Sequence, residues 1–224
     1  MQDSKTTYRV DLHSHSIISH DGGISAEEYE RILSTEKIDC IAITDHNETS
    51  FARIMQKKHG DKIIIGEEIT TTEGEIIGLY LTETIPAGLT AIETVKRIRQ
   101  QDGLVYIPHP FEVFRKGLQQ SSLDTITRDI DIVEVFNGRG QIRGKPKEAL
   151  AFAREHTFST AASGDAHTVR GIGYAYSLVN DFPSHETLIQ LLEQPVLSRV
   201  HAPLYTLLYP TINRIKNKIL LTNG

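Results

Sequence analysis

The chain has 224 residues, 39% of them hydrophobic and 24% charged, with a formal net charge of −5. That length buries a core in one large domain, or one domain with a small appendage, and the acidity argues against a dedicated nucleic-acid or anionic-membrane surface while leaving room for a local basic pocket. No apolar run approaches the roughly 20 residues of a membrane helix, the opening MQDSKTTYR has no apolar signal segment, and the single Cys40 excludes an internal disulfide, which together suggest a reducing, cytoplasmic setting.

YRVDLH reads as a strand, followed by a helix in SAEEYERILSTEK with Ser25 as N-cap and Glu28 three residues on. DCIAIT is an apolar strand, TSFARIMQKKHG a helix stopped by Gly60, KIIIGEEIT a strand, and EIIGLYL its partner after an EG turn. Leu89, Ile92, Val95 and Ile98 mark one face of a helix in LTAIETVKRIRQQ. LVYIPHP is a strand ended by Pro108 and Pro110, and IDIVEVFN is another. KPKEALAFAREH is a helix, FSTAASGDAH a strand running into a loop, and SHETLIQLLEQ a helix. Strands alternating with helices of this length predict parallel βαβ units, six or seven of them, in an α/β barrel or an open sheet.

The polar residues favour the barrel. His13 and His15 end the first strand, Asp45 and His46 the second, Glu67 and Glu68 the third. His109 ends a later strand, Glu134 and Asn137 the next, Asp165 and His167 the last. In α/β barrels such strand ends converge on one rim. His13 and His15, two apart on a strand, project to the same side and can chelate one ion, and Asp165 and His167 repeat the spacing. Imidazole suits zinc, iron and manganese, and a carboxylate such as Glu68 can bridge two ions. A mixed set of more than four ligands points to more than one ion, the arrangement that clamps the oxygens of a phosphoryl displacement. Singly, each residue has a plainer reading: Asp45 as a helix cap, Asp165 as a turn residue, Glu67 or Glu68 as edge-strand charge. His20, His59, His156, His185 and His201 read as structural or surface histidines.

DLHSHS, ITDHN, GEEIT, IPHP and SGDAH, in this order over residues 8 to about 175, resemble the successive motifs of the polymerase and histidinol phosphatase (PHP) domain. IVEVFNGR through KPKEALAFA to SGDAHTVRGIG is similar to the PHP-associated C-terminal region of small stand-alone members. The resemblance implies a distorted, TIM-like (β/α)7 barrel with two or three divalent ions (zinc, manganese or iron) at the C-terminal ends of its strands, and metal-dependent hydrolysis of phosphoesters. The barrel is expected over residues 1–200 and a helical tail over 201–224.

Carried across residue by residue, the resemblance gives His13, His15, Glu68 and Asp165 to one ion, Glu68 and His109 to a second, and Asp21, His46 and His167 to a third. Glu68 is preferred to Glu67 because the family pattern reads Gly-x-Glu and Gly66 sets the register; His20 is the alternative to Asp21. Many members carry a further histidine in the following hairpin. Ile76 or Ile77 stands there in this chain, leaving the second ion to water or substrate.

Glu68, His109 and His167 are the expected catalytic groups, the two histidines as candidate proton donors to the leaving group. Arg139, Arg115 and Arg170, on loops after site-bearing strands, are candidates for binding phosphate, whose oxygens match an arginine fork. The expected substrate is a small phosphorylated metabolite, a nucleotide or a short oligonucleotide. Competing readings are an amidohydrolase-like enzyme, often bridged by a carboxylated lysine where Glu68 stands, and a non-catalytic metal-binding barrel. The tail, with Arg214, Lys216 and Lys218 beside isoleucines, reads as a helix against the barrel or a twin subunit in a homo-oligomer. A membrane-surface or nucleic-acid contact is its sharper alternative.

Overall fold

Nine strands form one sheet in the order β7-β6-β5-β4-β3-β2-β1-β8-β9. The computed structural model describes residues 6–222; residues 1–5, on which most of the polar N-terminal reading falls, and 223–224 lie outside it. The strands are β1 (Tyr8–Asp11), β2 (Cys40–Ile43), β3 (Ile63–Thr70), β4 (Glu75–Leu79), β5 (Leu104–Ile107), β6 (Ile132–Asn137), β7 (Ser159–Ser163), β8 (Ala175–Val179) and β9 (Val196–Arg199). The helices are α1 (Ala26–Ser34), α2 (Ser50–His59), α3 (Ala91–Gln100), α4 (Gln120–Ile126), α5 (Pro146–His156), α6 (Leu188–Leu191) and α7 (Tyr209–Thr222). β1, β2 and β3 are parallel, as are β5, β6 and β7, with antiparallel β4 joining the two groups. Six strand ends therefore reach one rim.

The sheet curls until its ends nearly meet, the TIM-like barrel the family resemblance implied. At the seam the Ala162 N–H donates to the Ser177 hydroxyl of β8 (3.1 Å), and Gly164 N–H donates to Asp11 on β1 (2.9 Å). The interior holds Val10, Ala42, Ile64, Ile77, Leu104 and Tyr106, closed below by Leu188 and Leu192. Outside, the sheet's other face packs on the amphipathic helices through residues such as Ile98, Ile107 and Phe152, or Tyr29, Ile41 and Met55. Two of those helices begin with full capping boxes, Ser25 with Glu28 and Thr90 with Glu93.

Three elements, α4, β8 and β9, have no counterpart in the sequence pattern: α4 buries only Leu123 and Ile126, β8 buries Ser177 among its apolar residues, and β9 is half-exposed. SHETLIQLLEQ contracts to the four residues of α6. There the Leu192 carbonyl accepts from Thr160 N–H of β7 (2.9 Å), so a strand edge takes the bond that would continue the helix. Among the described residues no helix is long and apolar enough to cross a membrane.

Candidate metal centre

The barrel rim collects the histidines. His13 and His15 follow β1, His46 follows β2, Glu68 lies in β3, His109 follows β5, and Asp165 and His167 follow β7. Strand pleating projects alternate side chains to one side. Glu68 therefore faces the imidazoles, whereas Glu67 turns away and accepts the Ile85 N–H (2.8 Å). His109 and Asp165 have φ of 30° and 50°, a left-handed backbone that costs non-glycine residues energy and is held by the surrounding structure.

The distances define four overlapping clusters. Glu68 Oε2 lies 3.3 Å from the Nε2 of His13 and of His15 and from His46 Nδ1. Glu68 Oε1 lies 3.0 Å from His109 Nε2. Asp165 Oδ1 is 3.6 and 3.5 Å from the same His13 and His15 nitrogens. Asp21 stands 3.6 Å from His46 and 3.4 Å from His167. The potential donor atoms group within 4.8 Å of one another as His15, Asp21, His46 and His167; as His13, His15 and Glu68, with His13, His109 and Asp165 beside them; and as Glu68, Glu75 and His109. His20, with its side chain 60% exposed, stays at the mouth.

Glu75 is a residue the sequence reading missed, and its place corrects the assignment of the hairpin position to Ile76 or Ile77. In the β3–β4 ladder Glu68 pairs with Ile77 and Thr70 with Glu75. Paired residues share a face, so Glu75 stands on the Glu68 side, one pair nearer the rim. Ile77 points down into the interior and Ile76 outward to the helices. Glu75 carboxylate oxygens reach 3.9 Å from His46 Nδ1 and 4.0 Å from His109 Nε2. Only the strand register could have shown this; no local motif does.

Glu134 and Asn137 stand behind the cage. Glu134 lies 3.2 Å from His13 Nδ1 and accepts from Tyr106 OH (2.9 Å), His109 N–H (2.7 Å) and Asn137 Nδ2 (2.8 Å). This holds the His13 ring with Nε2 forward, the arrangement that orients ligating histidines. Asp45 accepts both the N–H and the hydroxyl of Ser16 (2.6 and 2.5 Å), which fixes the loop after His15.

Electrostatics fit a cation. Burial pushes carboxyls up, yet His13 and His46 hold Glu68 well below its usual range, and Arg139 and His13 do the same for Asp165. Burial, then Glu68, raises Glu75 to about 9. Burial lowers imidazoles, but Asp165 and Glu68 overcome it at His15, raised to about 9, and at His13. Burial prevails at His46, lowered to about 4, and, aided by Arg139, at His167, lowered to about 3. Buried nitrogens of His13, His15, His46 and His109 have no hydrogen-bond partner. Orphaned polar atoms in a protein interior are costly, and three of these, His13 Nε2, His15 Nε2 and His46 Nδ1, lie 3.3 Å from a Glu68 oxygen. The donor set fits divalent metal ions.

Of the three arginines, Arg139 donates to Asp165 Oδ1 (3.2 Å). Arg115 is bound by Glu112, by Asp165 (2.6 Å) and by Asn137 (2.8 Å), so its charge is already matched. Arg170 lies outside the cavity lining, 6.0 Å from the Tyr205 ring; the short helical turn at Val169–Gly171 carries it away. The cavity over the cluster is about 190 Å³ and adds Phe114 and Lys116, which the sequence reading did not select, and Arg214, which it read only as part of the basic tail. A larger open groove of about 1010 Å³ lies away from the rim, between α5 and β9, and no histidine lines it.

A family model described as PHP-associated matches residues 146–194. The uncharacterized protein MJ1587 of Methanocaldococcus jannaschii is 42% identical over 142 residues, 58% of this chain and 81% of that protein. A two-domain protein from Bacteroides vulgatus, containing a predicted PHP-like metal-dependent phosphoesterase, superposes with TM-score 0.72 at 16% identity, over 88% of this chain and 66% of that one. The chain belongs to the PHP domain family. The lesion-specific endonuclease PfuEndoQ of Pyrococcus furiosus superposes with TM-score 0.64 at 15% identity over 84% of this chain. This PHP chain spans just over half, 56%, of that endonuclease.

Proposed function

We propose that this PHP protein is a metal-dependent phosphoesterase acting on a small phosphorylated metabolite, a nucleotide or a short oligonucleotide. The observation that carries the reading is the set of buried, unpartnered imidazole nitrogens, His13 Nε2, His15 Nε2 and His46 Nδ1, that face Glu68 at 3.3 Å with Asp165 and Glu75 beside them. His13, His15, Glu68 and Asp165 hold one divalent ion, Glu68, Glu75 and His109 a second, and Asp21, His46 and His167, with His15 beside them, a third. Such ions neutralise phosphate oxygens and generate hydroxide near neutral pH.

The chain's own groups frame that chemistry. Glu68 would serve more than one subsite, since its Oε2 faces His13, His15 and His46 and its Oε1 faces His109. Arg115 and Arg139 steady Asp165, and Arg139, at the cavity wall, meets the phosphate. His109 Nε2, 3.0 Å from Glu68, is taken up as a ligand in this assignment and so is not the proton donor to the leaving group. His167 Nδ1 sits 3.0 Å from the Asp165 carbonyl, leaving its Nε2 toward Asp21. A glutamate at the bridge, in place of a lysine, separates this site from the amidohydrolase reading, and the likeness to an endonuclease supports phosphoester chemistry.

The test pairs elemental analysis of the purified protein with hydrolysis of phosphorylated metabolites and dinucleotides in added Mn²⁺. Glu68→Gln is expected to lose both bound metal and hydrolysis. Unchanged metal content with full activity would overturn the reading.

A further inference from the structure

Phe114 is 73% exposed and sits in the loop after β5 on the wall of the metal cavity. The Arg143 guanidinium lies over the ring, 3.8 Å from its centroid. An arginine stacked on an aromatic face stiffens it and leaves the opposite face free. On the same cavity wall stand Lys116 and Arg214, from the β5 loop and from α7. None of Lys116, Arg143 and Arg214 has an ion pair among the described residues. The mouth of an acidic centre, in a chain of net charge −5, thus presents an exposed aromatic ring backed by Arg143 and two cations without an ion pair, Lys116 and Arg214.

We infer that Phe114, backed by Arg143, is a platform on which the substrate stacks a nucleobase, while Lys116 and Arg214 receive phosphate at the mouth. The inference rests on the phosphoesterase reading and narrows it to nucleotides and the ends of nucleic acid. Every base has a π-face, so such a platform selects for a base without selecting which one. A sugar phosphate fills the phosphate positions but leaves Phe114 in water.

The experiment measures binding of adenosine 5′-monophosphate and ribose 5-phosphate to the Mn²⁺-supplemented protein by calorimetry, with hydrolysis of both followed in parallel. The nucleotide is expected to bind about 5- to 100-fold tighter. Phe114→Ala removes that difference without weakening ribose 5-phosphate, and Phe114→Tyr retains it. Lys116→Ala and Arg214→Ala weaken both ligands together. Equal affinities in the parent protein, or a nucleotide preference untouched by Phe114→Ala, overturn the platform. The two readings fail separately. Hydrolysis with no base preference sinks the platform alone, and base-dependent binding with no phosphoester hydrolysed sinks the phosphoesterase reading alone.

Discussion

Glu134 shows how much of this centre is built by residues behind it. Its carboxylate is fully occupied by His13, Tyr106, the His109 backbone and Asn137. Glu134→Ala frees the His13 ring, and metal affinity is expected to fall about 10- to 100-fold, measured by competition with a chromophoric chelator. Glu75→Ala should lower the number of ions bound per chain while the ions at Asp21 and Asp165 remain, which elemental analysis reads directly. An unchanged ion count would remove Glu75 from the ligand set. Cys40, buried in β2, has its thiol pushed up by burial; it is expected to resist thiol reagents until the protein unfolds. His-x-His and Asp-x-His were legible in the sequence because two residues apart on a strand is a local relation. Glu75 was not, since its place depends on how β4 registers against β3.

At the scale of elements, α7 inverts the usual rule that a helix buries its apolar face. Its inward residues include Asn213 and Asn217. Asn213 Nδ2 donates to the carbonyls of Asp21 (2.9 Å) and His167 (3.0 Å), and Asn217 Nδ2 to that of His20 (3.1 Å). Ile212, Ile215 and Ile219 face outward. What α7 covers is loop backbone, whose carbonyls require donors. The sequence gives the tail's basic and apolar residues without saying which side meets the barrel. Asn213→Ala strands two buried carbonyls and is expected to cost about 1–3 kcal/mol, read as a lower melting temperature and weaker metal binding. A melting curve and ion content identical to the parent's would show that α7 does not brace the Asp21 loop.

Over the whole molecule, ions that bind the folded barrel and not the unfolded chain stabilise it by mass action. At a hundredfold excess over Kd the gain is about 2.7 kcal/mol, or roughly 5–11 °C for a chain of this length. Melting in Mn²⁺ against chelator measures it. With chelator present, pH acts from both sides. His15, folded at about 9 against 6.5, contributes fully below pH 6.5 and loses its contribution as pH rises toward 9. His46 and His167, folded at about 4 and 3 against the same 6.5, do the reverse: the unfolded chain takes up protons first, and stability falls from pH 6.5 toward 3. Bound ions compete with the His15 proton, so Mn²⁺ should flatten the alkaline decline. A decline of equal slope with and without Mn²⁺ would place His15 outside the ion site. Parallel βαβ units were readable from alternating strands and helices, and the barrel from the polar residues at the strand ends, whereas β8 and β9 at its closure were not, because β8 buries Ser177 among its apolar residues and β9 is half-exposed.

The positive φ at His109 and Asp165 sets a limit on how this rim can be rebuilt. Branched side chains such as valine or threonine resist that twist of the main chain, while asparagine tolerates it. Redesign of the centre for another metal therefore has wide latitude at His13, His15 and Glu68, and very little vocabulary at the two corners where the chain turns the wrong way.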